Sequence, residues 1–76
     1  MKIFYTMGVG DIMKFEELQV VKVLINFNDE NIRAGDTGTV VFCFTKPSEA
    51  YEVEFINDDG STKAMFAIQS EYLESV

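Results

Sequence analysis

Arg33-Ala34-Gly35-Asp36-Thr37-Gly38-Thr39-Val40-Val41-Phe42-Cys43-Phe44 opens on small, turn-forming residues and runs straight into β-branched and aromatic ones. Gly35 can take φ > 0 and reverse the chain, and the Asp36 carboxylate can bond the backbone two residues on. From Thr39 the composition favours a strand, and its near-continuous apolarity predicts cover on both faces. Gly38, just inside that strand, suits a bulge or the close approach of another backbone. A turn that feeds a bent strand covered on both faces is how a small β-barrel begins its central hairpin.

Working outward, residues 19–27 alternate as a strand does. Val21, Val23, Ile25 and Phe27 share one face, with Val20, Lys22, Leu24 and Asn26 on the other. Asn28-Asp29-Glu30-Asn31 carries the chain as a polar loop to Gly35. On the other side, residues 45–50 form a connector in which Pro47 forbids a continuing strand. Tyr51-Glu52-Val53-Glu54-Phe55-Ile56 then alternates cleanly, placing Tyr51, Val53 and Phe55 in a core and Glu52 and Glu54 in water. Asn57-Asp58-Asp59-Gly60 is a hairpin signal, with Gly60 where φ > 0 is required. Residues 61–68 return as a fourth strand with Ala64, Phe66 and Ile68 on one side. Residues 69–71 make a tight, 3₁₀-like turn, and 72–76 a short last strand.

The expected fold is therefore all-β: a small, five-stranded, SH3-like, partly open barrel over residues 13–76. Residues 1–12 stand apart as an N-terminal extension. Within it, Ile3-Phe4-Tyr5 reads as an added edge strand and Gly8-Val9-Gly10 as a hinge. Glu16-Glu17-Leu18 reads either as a short helix capped from Asp11 or as a lead into the first strand, together with Phe15.

Seventy-six residues make one domain close to the size at which a single core is barely sufficient. No apolar run is long enough to span a membrane, and glycines and Asp11 interrupt the early apolar patch before it could serve as an export signal. A lone cysteine, Cys43, cannot form an internal disulfide, which fits a reducing cytoplasm. The formal net charge of −7 opposes binding to nucleic acid or an anionic membrane and favours a basic protein partner. There is no histidine, so the commonest acid–base group at neutral pH is missing.

The motifs that hint at chemistry have plainer explanations. Asp36-Thr37-Gly38 is the tripeptide of aspartic proteases, but Ala34 and Gly35 precede it in place of large apolar residues. No apolar-apolar-Gly element follows it either, so it is a turn entering a strand. Gly35-Asp36-Thr37-Gly38 lacks the basic neighbours of a nucleic-acid clamp, and Gly8-Val9-Gly10 is half a dinucleotide fingerprint without its helix. Asn26, Asn28 and Glu30 have calcium-loop spacing, yet Asn31 stands where that loop needs glycine. Asp58-Asp59 is explained by its hairpin. Cys43, in an apolar strand, reads as a buried inert thiol. No metal or other cofactor is expected, and no catalytic residue stands out.

Glu49, Glu52, Glu54, Asp58 and Asp59 gather acid on one strand and its hairpin. Two explanations stay open: a solvated face that keeps a small protein soluble, or a docking face for a basic partner with Tyr51 or Tyr72 as aromatic anchor. Lys63 on the neighbouring strand is placed to neutralise part of it across the strands. Homo-oligomerisation is also open.

Ala34-Gly35-Asp36-Thr37-Gly38-Thr39-Val40-Val41, then Glu49-Ala50-Tyr51-Glu52-Val53-Glu54-Phe55, then Asp58-Asp59-Gly60-Ser61-Thr62 carry a resemblance. Over residues 19–76 the chain resembles a small bacterial family with an AGDxGTVV…EAYEVEF…DGxT pattern, catalogued only as a domain of unknown function, whose fold is SH3-like. Some relatives are encoded beside small toxin-like proteins, so the resemblance implies a non-catalytic antitoxin or immunity role. The Gly-Asp-x-Gly-x-Val turn is more loosely similar to KOW-type modules and to SH3-like accessory subunits of photosynthetic electron transport. These imply an alternative role, as an accessory or docking subunit of a larger electron-transport or ribosome-associated complex.

Overall fold

The computed structural model describes residues 13–76. They form five antiparallel strands in a single sheet: β1 Val20–Val23, β2 Thr37–Phe44, β3 Ala50–Ile56, β4 Thr62–Gln69 and β5 Leu73–Ser75. Along the sheet the order is β4-β3-β2-β1-β5. Two 3₁₀ turns, Asn28–Glu30 and Ser70–Tyr72, are the helical elements among the described residues. The expected all-β, five-stranded fold forms, and its sheet stays open, with β4 and β5 as unpaired edges. The sheet nevertheless curls: Phe27, just past β1, brings its ring to 5.2 Å from Phe66 on β4. Expectations for Ile3-Phe4-Tyr5, Gly8-Val9-Gly10 and Asp11 lie outside the described residues.

The turn at Gly35 forms as its composition demands, with φ +98° at Gly35. The Asp36 N–H donates to the Arg33 carbonyl at 2.9 Å. The Asp36 carboxylate reaches back to the Arg33 N–H at 2.9 Å, where a bond two residues forward was expected. Gly38 is buried because β3 passes tightly across it. A Cβ there would lie 2.7 Å from Val53 Cγ1 and 2.8 Å from the Glu54 carbonyl oxygen. The bulge of β2 falls further on, at Val41, between the pairs Val40–Val53 and Phe42–Glu52. That extra residue turns Phe42 outward, so β2 is not covered on both faces as its apolarity predicted; Phe42 is 51% exposed.

β1 is shorter than its alternation suggested. Val21 and Val23 are buried as expected, but the strand ends at Val23 and Ile25 is 40% exposed. Phe27 pairs instead with Ile32 across the Asn28–Glu30 turn, which folds the loop back on itself. Ile32, at 1% exposure, takes the core place expected for Ile25. Residues 16–18 form a turn and not a helix: the Gln19 N–H donates to the Glu16 carbonyl at 3.1 Å, and Leu18 has φ +73° and is exposed. Phe15 leads into β1 fully buried.

β3 keeps the expected register. Tyr51, Val53 and Phe55 are buried, while Glu52 and Glu54 are half-buried on the opposite face. The 57–60 hairpin closes through the Gly60 N–H on the Asn57 carbonyl at 2.9 Å, with Gly60 at φ +90°. Ala64 and Ile68 are buried and Phe66 is half-buried on the inner side of β4. The core thus lies on one face of the curled sheet, from Phe15, Val21 and Val23 across Val40 and β3 to Ile68 and Leu73.

Candidate functional site

Of the acidic-face candidates, Glu49 and Tyr51 turn out to hold the chain together. Tyr51 is completely buried, since its place in the β3 alternation points inward. Its hydroxyl donates to the Glu49 carboxylate and accepts the Phe15 N–H at 3.1 Å. The same carboxylate accepts the Lys14 N–H at 3.0 Å, and the Phe15 ring meets Tyr51 edge-on at 5.2 Å. A buried tyrosine needs a partner for its polar tip, and here that partner fastens residues 14–15 to β3. Burial, then the hydrogen bond to Glu49, pushes the Tyr51 phenol up to about 12. Tyr51 presents no ring to a partner. Tyr72 is half-buried, its ring edge-on to Phe27 at 6.5 Å.

Asp59 is likewise engaged locally. Its carboxylate accepts the Ser61 hydroxyl at 2.6 Å and the Ser61 N–H at 2.9 Å, bonds that hold its pKa below the usual value. Asp58 is exposed at the hairpin tip. Asn26, from the calcium-like spacing, spends its carbonyl oxygen on the Ala34 N–H at 2.8 Å. The Cys43 thiol is half-buried, not fully so, and lies 3.9 Å from the Phe15 carbonyl. Burial, followed by the charges of Glu17, Glu49 and Glu16, raises its pKa and keeps it protonated.

Glu52 and Glu54 remain on the outer face of the sheet. Glu52 stands between Phe42 of β2 and Ala67 of β4, and Glu54 between Thr39 and Met65. Lys63 does not neutralise them. It falls in the irregularity between Phe55 and Ile56, beside Ile32 and Asp36, and no ion pair joins it to either glutamate among the described residues. Glu54 instead takes the Thr62 hydroxyl at 2.6 Å. Glu52 has no side-chain partner among the described residues.

The same face carries apolar groups that sequence reasoning missed. Phe42, Met65 and Ile56 are 51%, 52% and 54% exposed. The Phe42 ring sits edge-on to Phe44 at 4.9 Å. Met65 and Ile56 alternate with core residues on their own strands, so for these two the signal was present. The unbroken apolarity of β2 masked the exposure of Phe42, because a bulge is invisible in composition. The outer face is thus an apolar centre with two carboxylates among it.

A model of a domain of unknown function, DUF4926, matches residues 17–75 and so covers all five strands. The chain belongs to this family. No curated protein and no solved structure matches it. The DUF4926 match takes in the outer-face residues Phe42, Glu52, Glu54, Ile56 and Met65, and begins after the Lys14 and Phe15 contacts with Glu49 and Tyr51. No helix among the described residues is long and apolar enough to cross a membrane.

A concavity lies at the core-side rim of the sheet. It measures about 430 Å³ and is lined by Phe27, Asn28, Asp29, Glu30 and Phe66. Phe27 is pinned there by its two backbone bonds with Ile32, at 2.8 and 3.2 Å.

Proposed function

We propose that this DUF4926 protein is a non-catalytic interaction module of the cytoplasm that binds a basic protein on the outer face of its sheet, as an antitoxin binds a small toxin. One observation carries the proposal. Phe42, Ile56 and Met65, each more than half exposed, share a face with Glu52 and Glu54 in a chain of net charge −7. Exposed aromatic and methionine side chains supply the apolar centre of an interface, and carboxylates among them select a cationic partner and speed its approach. An SH3-like kinship, implied by the motif pattern and compatible with five strands in one curled sheet, fits such a role. The gene-neighbour pattern of the resembling family supports a toxin-like partner.

The test is affinity purification from the cells that make the protein, with mass spectrometry of what co-purifies. Wild type is compared with the Glu52→Lys/Glu54→Lys double variant. A basic protein retained by wild type and absent with the double variant supports the proposal. Subunits of a large complex, retained equally by both, would assign the chain an accessory role instead.

A further inference from the structure

We propose that the groove between the Asn28–Glu30 turn and β4 is a second, separate recognition site that binds the guanidinium of an arginine in a basic peptide segment. It uses none of the outer-face residues: Phe66 alternates with Met65 and Ala67 and so faces the core side of β4.

The walls of the groove are held in place before any ligand arrives. Phe66 stacks on Phe55 with ring centres 5.7 Å apart and planes 25° apart. Phe27 meets Phe66 edge-on at 64° and Tyr72 at 77°. The Glu30 N–H donates to the Phe27 carbonyl at 3.0 Å and the Asn31 N–H to the Asn28 carbonyl at 3.1 Å. Asn31 ends that turn in the left-handed conformation, at φ +58°. Asp29 and Glu30 are thereby fixed beside the aromatic floor, both exposed. Neither carboxylate has a hydrogen bond or an ion pair among the described residues, whereas Glu49, Glu54, Asp36, Asp59 and Glu74 each have one.

The chemistry of the lining selects the occupant. Two carboxylates and the rings of two phenylalanines line the groove, and no basic side chain lines it to answer the acid. A hard metal ion is poorly served, since the rings offer no oxygen ligands. An ammonium would lose a strongly held hydration shell against the rings. A guanidinium is flat, weakly hydrated and always charged, so it can lie on an aromatic face while its edge donates to carboxylates.

The experiment is a titration of the ¹⁵N-labelled full chain, followed by amide chemical shifts, with acetyl-Ala-Arg-Arg-Ala-amide. The same peptide with both arginines replaced by citrulline has the same shape without the charge. Saturable shifts are expected at Phe27, Asn28, Asp29, Glu30 and Phe66, with binding about tenfold weaker for the citrulline peptide and for Asp29→Asn/Glu30→Gln. Both substituted side chains are exposed, so the variant keeps its fold, which its own spectrum verifies. The outer-face variant Glu52→Lys/Glu54→Lys should bind the peptide within about twofold of wild type, so this site stands or falls separately from the outer-face proposal. Absence of saturable shifts at those five residues up to ~10 mM peptide, or equal binding of the citrulline peptide, would overturn it. So would binding lost in the outer-face variant and kept in Asp29→Asn/Glu30→Gln.

Discussion

A methyl group added at Gly38 would meet Val53 Cγ1 at 2.7 Å and the Glu54 carbonyl at 2.8 Å, and a carbonyl in a paired strand cannot step aside. Gly38→Ala should therefore destabilise by about 1–3 kcal/mol, the range for overpacking a tight site. Gly60 has nothing within 4 Å of its virtual Cβ but holds φ +90°. Gly60→Val should cost ~1–2 kcal/mol through backbone strain alone. Urea midpoints test both, and a wild-type midpoint for either would remove its stated cause. Tyr51 adds a pH signature. An unfolded tyrosine titrates near pH 10, whereas in the folded chain the phenol is held up to about 12, chiefly by burial. The folded state keeps the proton more tightly, so this stabilisation is complete below the unfolded pKa and is lost as pH rises through the folded one. It amounts to something on the order of 2 kcal/mol. Tyr51→Phe should flatten the fall in stability between about pH 9 and pH 12 relative to wild type. Denaturant unfolding across that range checks it, and an unchanged alkaline slope would contradict the assignment.

Strands differ in how much of them the sequence exposes to a reader. β3 was legible from Tyr51 to Phe55 because its large apolar and charged side chains alternate there, and a sheet with one buried face permits a single register for such a pattern. The 57–60 hairpin was legible because Gly60 sits where the turn needs it. β1 misled because Ile25 continues an apolar alternation that the backbone abandons after Val23, where the Phe27–Ile32 pair draws the loop back. Nothing local in residues 24–27 announces a contact that depends on Ile32. β2 misled through the Val41 bulge, and with it went the exposure of Phe42 and the apolar part of the outer face. The register of β3 yields a sharp contrast between neighbours. Phe55→Ala should cost about 3–5 kcal/mol, much of what a domain of this size possesses. Ile56→Ala, at an exposed position, should stay within about 0.5 kcal/mol of wild type. Equal losses for the two would put the register off by one residue.

Across the whole molecule the charge is unevenly shared. β2 and β4 carry a single charged residue between them, Lys63, so the acid sits on β3, on β5 and in the loops around an apolar outer face. The ion pair among the described residues, Lys22 with Glu74 at 3.4 Å, is exposed and contributes little to stability. The excess acid is then available for long-range attraction, which a Debye length of about 8 Å at physiological salt would largely screen for distant approach. The acidic candidates were legible from composition, but one of them, Glu49, proved to be the hydrogen-bond partner of the buried Tyr51 that had been expected as an aromatic anchor. Which carboxylates face water and which fasten the chain depends on pairing that no single segment encodes. The most direct test of the outer face is the association rate of its co-purifying partner at low and high salt, for wild type and for Glu52→Lys/Glu54→Lys. Wild type should associate about tenfold or more faster at low salt, with that advantage lost in the double variant while its fold is kept. A rate that is indifferent to salt, and the same in both proteins, would contradict a docking role for the outer face.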